Sequence, residues 1–348
     1  MRIVCQLPTD DWGRAGLRAK WAEDIGYDGV TSSELAHDPF MPLAIASQAT
    51  EKVALCTSIA VAFPRSPMVT ANLGWDLNAQ SGGRFELGLG SQVKGHNERR
   101  FSTPWVAPVG RLREYVQALR AIWRCWEHGE KLKFEGEHYQ FTLMTPEFSP
   151  PKNGFAAPPI SIAAVGPDML RMGGRVADGV RLHGFCTRKY IENVCMPRIE
   201  EGMAKSGRTR EAMEISGGGF ICTGPNAAAV QEKLDWARYR VGFYGSTRTY
   251  LPVFEQHGLE ELGLKLHRMS VEGKWSELAS QVSDDVVRLF AAVGDYDALP
   301  AAAAERFGGV VDTLRLDLPD DIDPDQHREL VAKLQAIPSR FEAFKTAA

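Results

Sequence analysis

The chain has 348 residues, 44% hydrophobic and 24% charged, an ordinary globular composition able to fill one large core or two smaller ones. A formal net charge of -4 leaves no excess of base to draw it to nucleic acid or to an anionic membrane. Six cysteines at 5, 56, 125, 186, 195 and 222 form no C-x-x-C pair, which suits reduced thiols better than a disulfide scaffold or a structural zinc site. The start, "MRIVCQLP", is too short and polar for a signal peptide, and no apolar run nears the roughly 20 residues a bilayer needs. The expectation is a cytoplasmic protein acting on a small molecule.

The first elements alternate in period. "RIVCQ" (2–6) reads as a strand, and "GLRAKWAEDIGY" (16–27) as a helix with its apolar face on Leu17, Trp21 and Ile25. A strand "GVTSSE", a helix "MPLAIASQAT", a strand "VALCTSIAVAF" and a helix "MVTANLGWDLNAQSGG" follow. Further strands are expected at "RFELGLG", "PISIAAV" (159–165), "GVRLHGF" (179–185), "MEISGGGFIC" (213–222) and "VVDTLRL" (310–316), before a closing helix "DPDQHRELVAKLQAI". Eight βα units over the whole length, without a linker, predict an α/β fold: one (β/α)8 TIM barrel spanning 1–348. Two stretches exceed the repeat, one of about 101–158 after strand four and a helical one of about 240–305 after strand seven, and insertions so placed can cover a barrel site. A dinucleotide-binding sheet is disfavoured, because neither "CQLPTDDWGRAG" nor "GLGSQVKG" matches G-x-G-x-x-G.

Barrel sites lie just beyond the C-terminal ends of the strands. That rule collects Ser33, Glu34 and His37 after strand two, Ser58 and Ile59 at strand three, and Ser91, His96 and Asn97 after strand four. It also collects Gly166 and Pro167 after strand five and His183 after strand six. The junction "AAVGPDMLRMGG" turns a helix N-terminus towards the mouth, a place where backbone N–H groups can hold a phosphate. No H-E-x-x-H or H-x-H suggests a metal and no G-x-S-x-G a serine nucleophile, so a redox cofactor is the economical carrier of chemistry.

The run "TSIAVAFPRSPMVTANLGWDLNAQSGGRFELGLGSQVKGHNERRF" (57–101), with "SELAHDPFMPLAIASQAT", "RLREYVQALRAIWRCW", "FEGEHYQF" and "PPISIAAVGPDMLRMGGRVADGV", resembles the bacterial luciferase-like monooxygenase superfamily and its coenzyme F420-dependent oxidoreductase branch. The resemblance implies a flavin-like ring across the strand ends and a non-prolyl cis peptide at Ser58-Ile59 behind it. It further implies that Ser91, Gln92 and Asn97 meet the ribityl chain, and that Ala164, Val165, Gly166 and Pro167 line the phosphate. Where sugar-phosphate dehydrogenases of this kind have Asp-His after strand two, this chain has Ser33-Glu34, so their histidine base has no counterpart here. Glu34, His37 and His183 are left as candidates for a proton relay, His183 first because histidine titrates nearest neutrality. The expected activity is hydride transfer by F420 to or from a small apolar substrate, with Trp105, Phe148 or Tyr244 among its contacts. An FMN-dependent monooxygenase using O2 and a non-catalytic cofactor-binding protein are the alternatives. Arg65, Lys94 and Arg99 are the cations that could face the anionic F420 tail, and a homodimer is compatible with the family.

Overall fold

Eight short runs of mostly apolar residues pair in parallel in the computed structural model, which describes residues 1–319, 322–341, 343 and 344. They are β1 (Arg2–Gln6), β2 (Gly29–Ser32), β3 (Ala54–Thr57), β4 (Phe85–Gly90), β5 (Ile160–Ala164), β6 (Gly179–Leu182), β7 (Glu214–Gly217) and β8 (Thr313–Arg315). Arg2 pairs with Thr313 and Leu55 with Phe85, so the order runs from β3 back through β1 and β8 to β4 and closes on β3. The closed parallel sheet with helices between strands is the (β/α)8 barrel that the alternating periods predict.

Period two sorts each strand into an outer and an inner row. Ile3, Leu55, Leu87, Ile162, Val180 and Ile215 are fully buried in the layer beneath the helices. Each such side chain stabilises the fold by roughly 1.5–3 kcal/mol. The inner row is polar near the barrel floor, where Arg2 reaches Glu86 at 2.6 Å and Glu214 at 2.7 Å. Burial pushes the Glu86 carboxyl up, and the Arg2 guanidinium outweighs it, holding that carboxyl below its ordinary range. Cys56 donates to Glu86, and Thr313 donates to Glu214 at 2.6 Å.

Carboxylates clasp the N-terminal end of the barrel in a repeated way. Asp28, just before β2, accepts from the Ile3 N–H; Asp178, before β6, from Ile160; and Asp312, before β8, from Ile215, at 2.7, 2.8 and 2.7 Å. Before β4 the same place is held by Arg84, which donates instead to the carbonyls of Thr50 and Val53.

Three readings of the sequence change. The first helix, Trp12–Ile25, buries Ala15, Ala19, Ala22 and Ile25, while Leu17 is 74% exposed. Close packing against the helix Met41–Ala49, with Ile45 lying 3.1 Å from where a Cβ on Gly16 would stand, selects small residues over leucine. The run 53–63 breaks after Thr57 and resumes as the short strand Ala60–Val61. The run 213–222 also breaks, because Gly217 and Gly218 adopt φ of 80° and 82° and turn Phe220–Cys222 out of the barrel to pair with Ala291–Val293.

After β4 the chain forms a helix, Pro108–His128, and a hairpin of Phe134–Glu135 with Gln140–Phe141. Between β7 and β8 lie the helices Ala227–Gly245, Leu251–Glu255, Glu260–Val271, Asp284–Phe290 and Leu299–Phe307. Among the described residues no helix is long and apolar enough to cross a membrane.

Asp312 also takes the buried Arg210 guanidinium at 2.7 Å. The variant Asp312→Ala strands that cation and frees the Ile215 N–H, so unfolding in urea should show a loss of about 3–5 kcal/mol. A loss below about 1 kcal/mol would show that the clasp does not secure the barrel.

Candidate active site

Glycines shape the mouth at β3 and β4. A Cβ on Gly88 would lie 2.0 Å from the Thr57 carbonyl, and one on Gly90 would lie 2.7 Å from Ile59 Cδ1. Side-chain-free backbone there lets the 58–61 turn bend over the end of β4. The Ser58-Ile59 peptide is cis, as the sequence resemblance implies. Behind it, the Ser33 hydroxyl lies 2.8 Å from the Ser58 carbonyl and 3.1 Å from Gln6 Oε1, where Thr31 also points. Gln6 and Ser33 are thus part of the site's rear wall; its place after strand two collects Ser33 from the sequence, whereas nothing there singles out Gln6.

Glu34 is fully engaged with this turn. Its Oε2 accepts from the Val61 N–H and from Arg65 Nη1, both at 2.7 Å, and Arg65 reaches on to Asp38. Arg65 is therefore already paired, while Lys94 and Arg99 stand exposed on the short helix Lys94–Arg99. His37 is exposed on the same side loop as Asp38.

The loop after β4 organises itself. Asn97 is fully buried and donates to the carbonyls of Ser91 and Val93, leaving its Oδ1 without a partner. Gln92 takes a φ of 58° and its side chain accepts from the Val93 N–H. After β5, Gly166 precedes the helix Pro167–Val176 with no capping side chain, and a Cβ there would meet nothing within 4 Å. Asp168 turns to Arg171 at 2.6 Å, and the N-cap Gly166 offers no side chain to accept from the N–H groups of the first turn.

His183 ends β6 in an aromatic enclosure. Tyr250 stacks on its ring at 5.0 Å and Tyr244 meets it edge-on at 4.5 Å, both from the segment between β7 and β8. The Phe185 N–H donates to Nδ1 at 3.0 Å, which leaves the ring hydrogen on Nε2. Burial pushes the imidazole down to about 4. The titration argument for His183 is therefore corrected: the ring is neutral at physiological pH and offers a hydrogen-bond donor, not a mobile proton. Of the expected substrate contacts, Tyr244 lies at this ring, Trp105 packs on Phe63, and Phe148 is exposed.

Arg306, which sequence reading passed over, joins the ends of β6 and β7. Its Nη2 donates to the carbonyls of Cys186 at 2.5 Å and Gly218 at 2.8 Å. Burial pushes this guanidinium down to about 10, so it keeps its charge at neutral pH. A cavity of about 370 Å³ lined by Trp75, Arg120, Trp123 and Phe155 borders Asp178 at the opposite end of the barrel and is no part of this site.

Polar strand ends, a helix N-terminus without a capping side chain and a caged histidine meet at one mouth of the barrel. The chain belongs to the luciferase-like monooxygenase family, whose model matches residues 5–313. It is 44% identical to "Uncharacterized protein Rv1360" of Mycobacterium tuberculosis, over 86% of this chain and 88% of that one. It is 27% identical to the putative coenzyme F420-dependent oxidoreductase Rv3520c of the same organism, over 79% and 82%. The fold matches that of the coenzyme F420-dependent tetrahydromethanopterin reductase of Methanopyrus kandleri with a TM-score of 0.75 at 20% identity, covering 95% of this chain and 96% of that one. The family expected from the sequence is thus borne out.

A histidine lowered by burial has a stated pH signature. The unfolded chain binds its proton near 6.5 and the folded chain only near 4, so stability from this group is present above 6.5 and is lost as pH falls towards 4. Relative to His183→Gln, the native protein should lose up to about 3 kcal/mol more between pH 7 and pH 4. Parallel pH dependences of the two unfolding free energies would show that the ring is not desolvated.

Proposed function

We propose that this protein is an oxidoreductase that uses coenzyme F420 to transfer hydride to or from a small, apolar organic substrate. The observation that carries the reading is the uncapped N-terminus of Pro167–Val176, with open space at Gly166, on the same rim as the caged His183. The similarity to Rv3520c supports the deazaflavin over a flavin. In this reading the whole chain works as one barrel domain, with about 101–158 and 240–305 as its insertions.

The residues present fit such a cofactor. Ala164, Val165, Gly166 and Pro167, with the N–H groups of the following turn, hold its phosphate. Ser91 and Gln92 border the ribityl chain, and Asn97 keeps their loop in shape through its two carbonyl contacts. Ser58 and Ile59 support the ring, and Ser33 fixes the Ser58 carbonyl from behind. When bound, the deazaflavin supplies the hydride chemistry. His183 holds its hydrogen at Nε2 and presents it to a substrate oxygen, while Tyr244 and Tyr250 exclude water from the ring. Glu34 acts through Arg65 to hold the 58–65 turn, and His37 at the rim remains available to solvent.

Titrating the purified protein with F420 and, separately, with FMN, followed by cofactor fluorescence at fixed salt, should give saturable F420 binding with FMN at least about tenfold weaker, or about 1.4 kcal/mol. The reverse order would move the assignment to a flavin-dependent monooxygenase, and binding of neither would overturn the site. Gly166→Asp places a carboxylate in the open space at φ of -80°, a conformation any residue adopts. It should weaken F420 by about tenfold or more with an unchanged Tm; equal affinity would remove the phosphate from this helix.

A further inference from the structure

Four large rings stand exposed together above the β6 and β7 ends: Trp236 (43%), Tyr239 (48%), Phe243 (38%) and Trp275 (48%). Three lie on one face of the helix Ala227–Gly245, at positions 236, 239 and 243, the spacing that puts side chains on neighbouring turns side by side. Tyr239 stacks on Phe243 at 6.2 Å and Trp275 lies 6.0 Å from Phe243. Two ring paths run inward from this face to the end of β6. One passes from Phe243 to Tyr244 at 5.4 Å and then to His183 at 4.5 Å. The other passes from Trp236 to Phe220 at 5.5 Å, whose ring abuts the backbone of Gly184, the residue after His183.

Aromatic side chains bury about 150–250 Å² each, so these half-exposed rings leave on the order of 350 Å² of apolar surface. That is the size of a functional patch on a monomer, and well under the roughly 800 Å² per partner of a stable protein interface. It suits one face of a planar molecule. Arg240 lies over the Trp236 ring at 5.4 Å and repels a cationic occupant. We propose that Trp236, Tyr239, Phe243 and Trp275 form the outer wall of the substrate site and take a planar, non-cationic conjugated compound, whose reacting end reaches in past Tyr244 to His183. The inference rests on the reading of the barrel mouth as the reaction site, and it names the substrate class for that site.

The test is a binding titration of 2-acetonaphthone, a planar conjugated ketone, against the protein without cofactor, followed by quenching of tryptophan fluorescence, with cyclohexanone as a small non-planar comparison. Saturable binding of 2-acetonaphthone is expected, weakened at least fivefold by Phe243→Ala and by Trp275→Leu and unchanged by Trp12→Ala, an exposed ring elsewhere. Cyclohexanone affinity should be the same in all four proteins. Far-ultraviolet circular dichroism and Tm confirm that each variant is folded. No binding to the native protein, or equal affinity in the Phe243 and Trp275 variants, overturns the proposal. So does self-association that Phe243→Ala abolishes, since a second copy would then be what covers the rings. F420 titration of the same proteins separates the two levels: absent F420 binding refutes the proposed cofactor, while the naphthone result still decides the aromatic wall. Phe243→Ala should leave F420 affinity unchanged.

Discussion

The rest of the structure depends on how the barrel is held shut at the end away from the site. A parallel sheet leaves the first N–H groups of each strand without a ladder partner at its rim, and buried N–H groups must be satisfied. Asp28, Asp178 and Asp312 each stand one position before an even-numbered strand and take an N–H near the start of the odd-numbered strand beside it. One carboxylate thereby fixes the relative height of two strands. Arg84 does the complementary task before β4, where carbonyls rather than N–H groups face the rim. With strand heights set from below, the opposite ends arrive in register, and the groups beyond them meet at one mouth.

Between clasp and mouth the β3–β4 seam changes character. At the floor, Cys56 and Glu86 lie opposite each other in the ladder and carry the ion network of Arg2. Higher up, the Thr57 hydroxyl is 2.8 Å from both the carbonyl and the N–H of Gly88, so a side chain replaces the backbone partner that β3 no longer provides. The strand can then leave the barrel without an unsatisfied amide. Gly88 admits the Thr57 carbonyl and Gly90 admits the Ile59 side chain, which is why "LGLG" carries glycine at alternate positions. The polar loop that follows begins where the apolar strand has finished this task.

Strand number, order and most strand limits were legible because buried parallel strands are short apolar runs between helical periods. What misled was any residue whose role depends on its neighbour's shape. Leu17 outranks Ala19 in hydrophobicity, yet the helix packs through alanine because the facing helix comes too close for leucine. The run 213–222 is uniformly strand-like, and only the positive φ of two glycines shows that its second half belongs to another sheet. Position after a strand collected Ser33, Glu34, Ser58, Gly166 and His183, and each stands just past the C-terminal end of a barrel strand. It could not show that Glu34 is spent on Arg65, nor that Arg306, far along the chain, braces β6 against β7. The Asp-before-strand signal in "YDGV", "ADGV" and "VDTL" is visible in retrospect, but each aspartate alone reads as an ordinary turn residue.

The state of His183 shows how the insertion governs the chemistry of a strand. The ring belongs to β6, and its Nδ1 is committed locally to the Phe185 N–H. The desolvation that holds it neutral comes with Tyr244 and Tyr250, from helices inserted after β7. Moving those helices away would rehydrate the imidazole and let it rise towards the ordinary histidine value, adding a proton at Nδ1 only if the Phe185 contact were also given up. The rings that cover His183 and the proton count of its imidazole are therefore linked, because the burial they supply favours the neutral, donor-only form. The neutral, donor-only state of His183 thus comes from the cover over the strand and not from the strand itself.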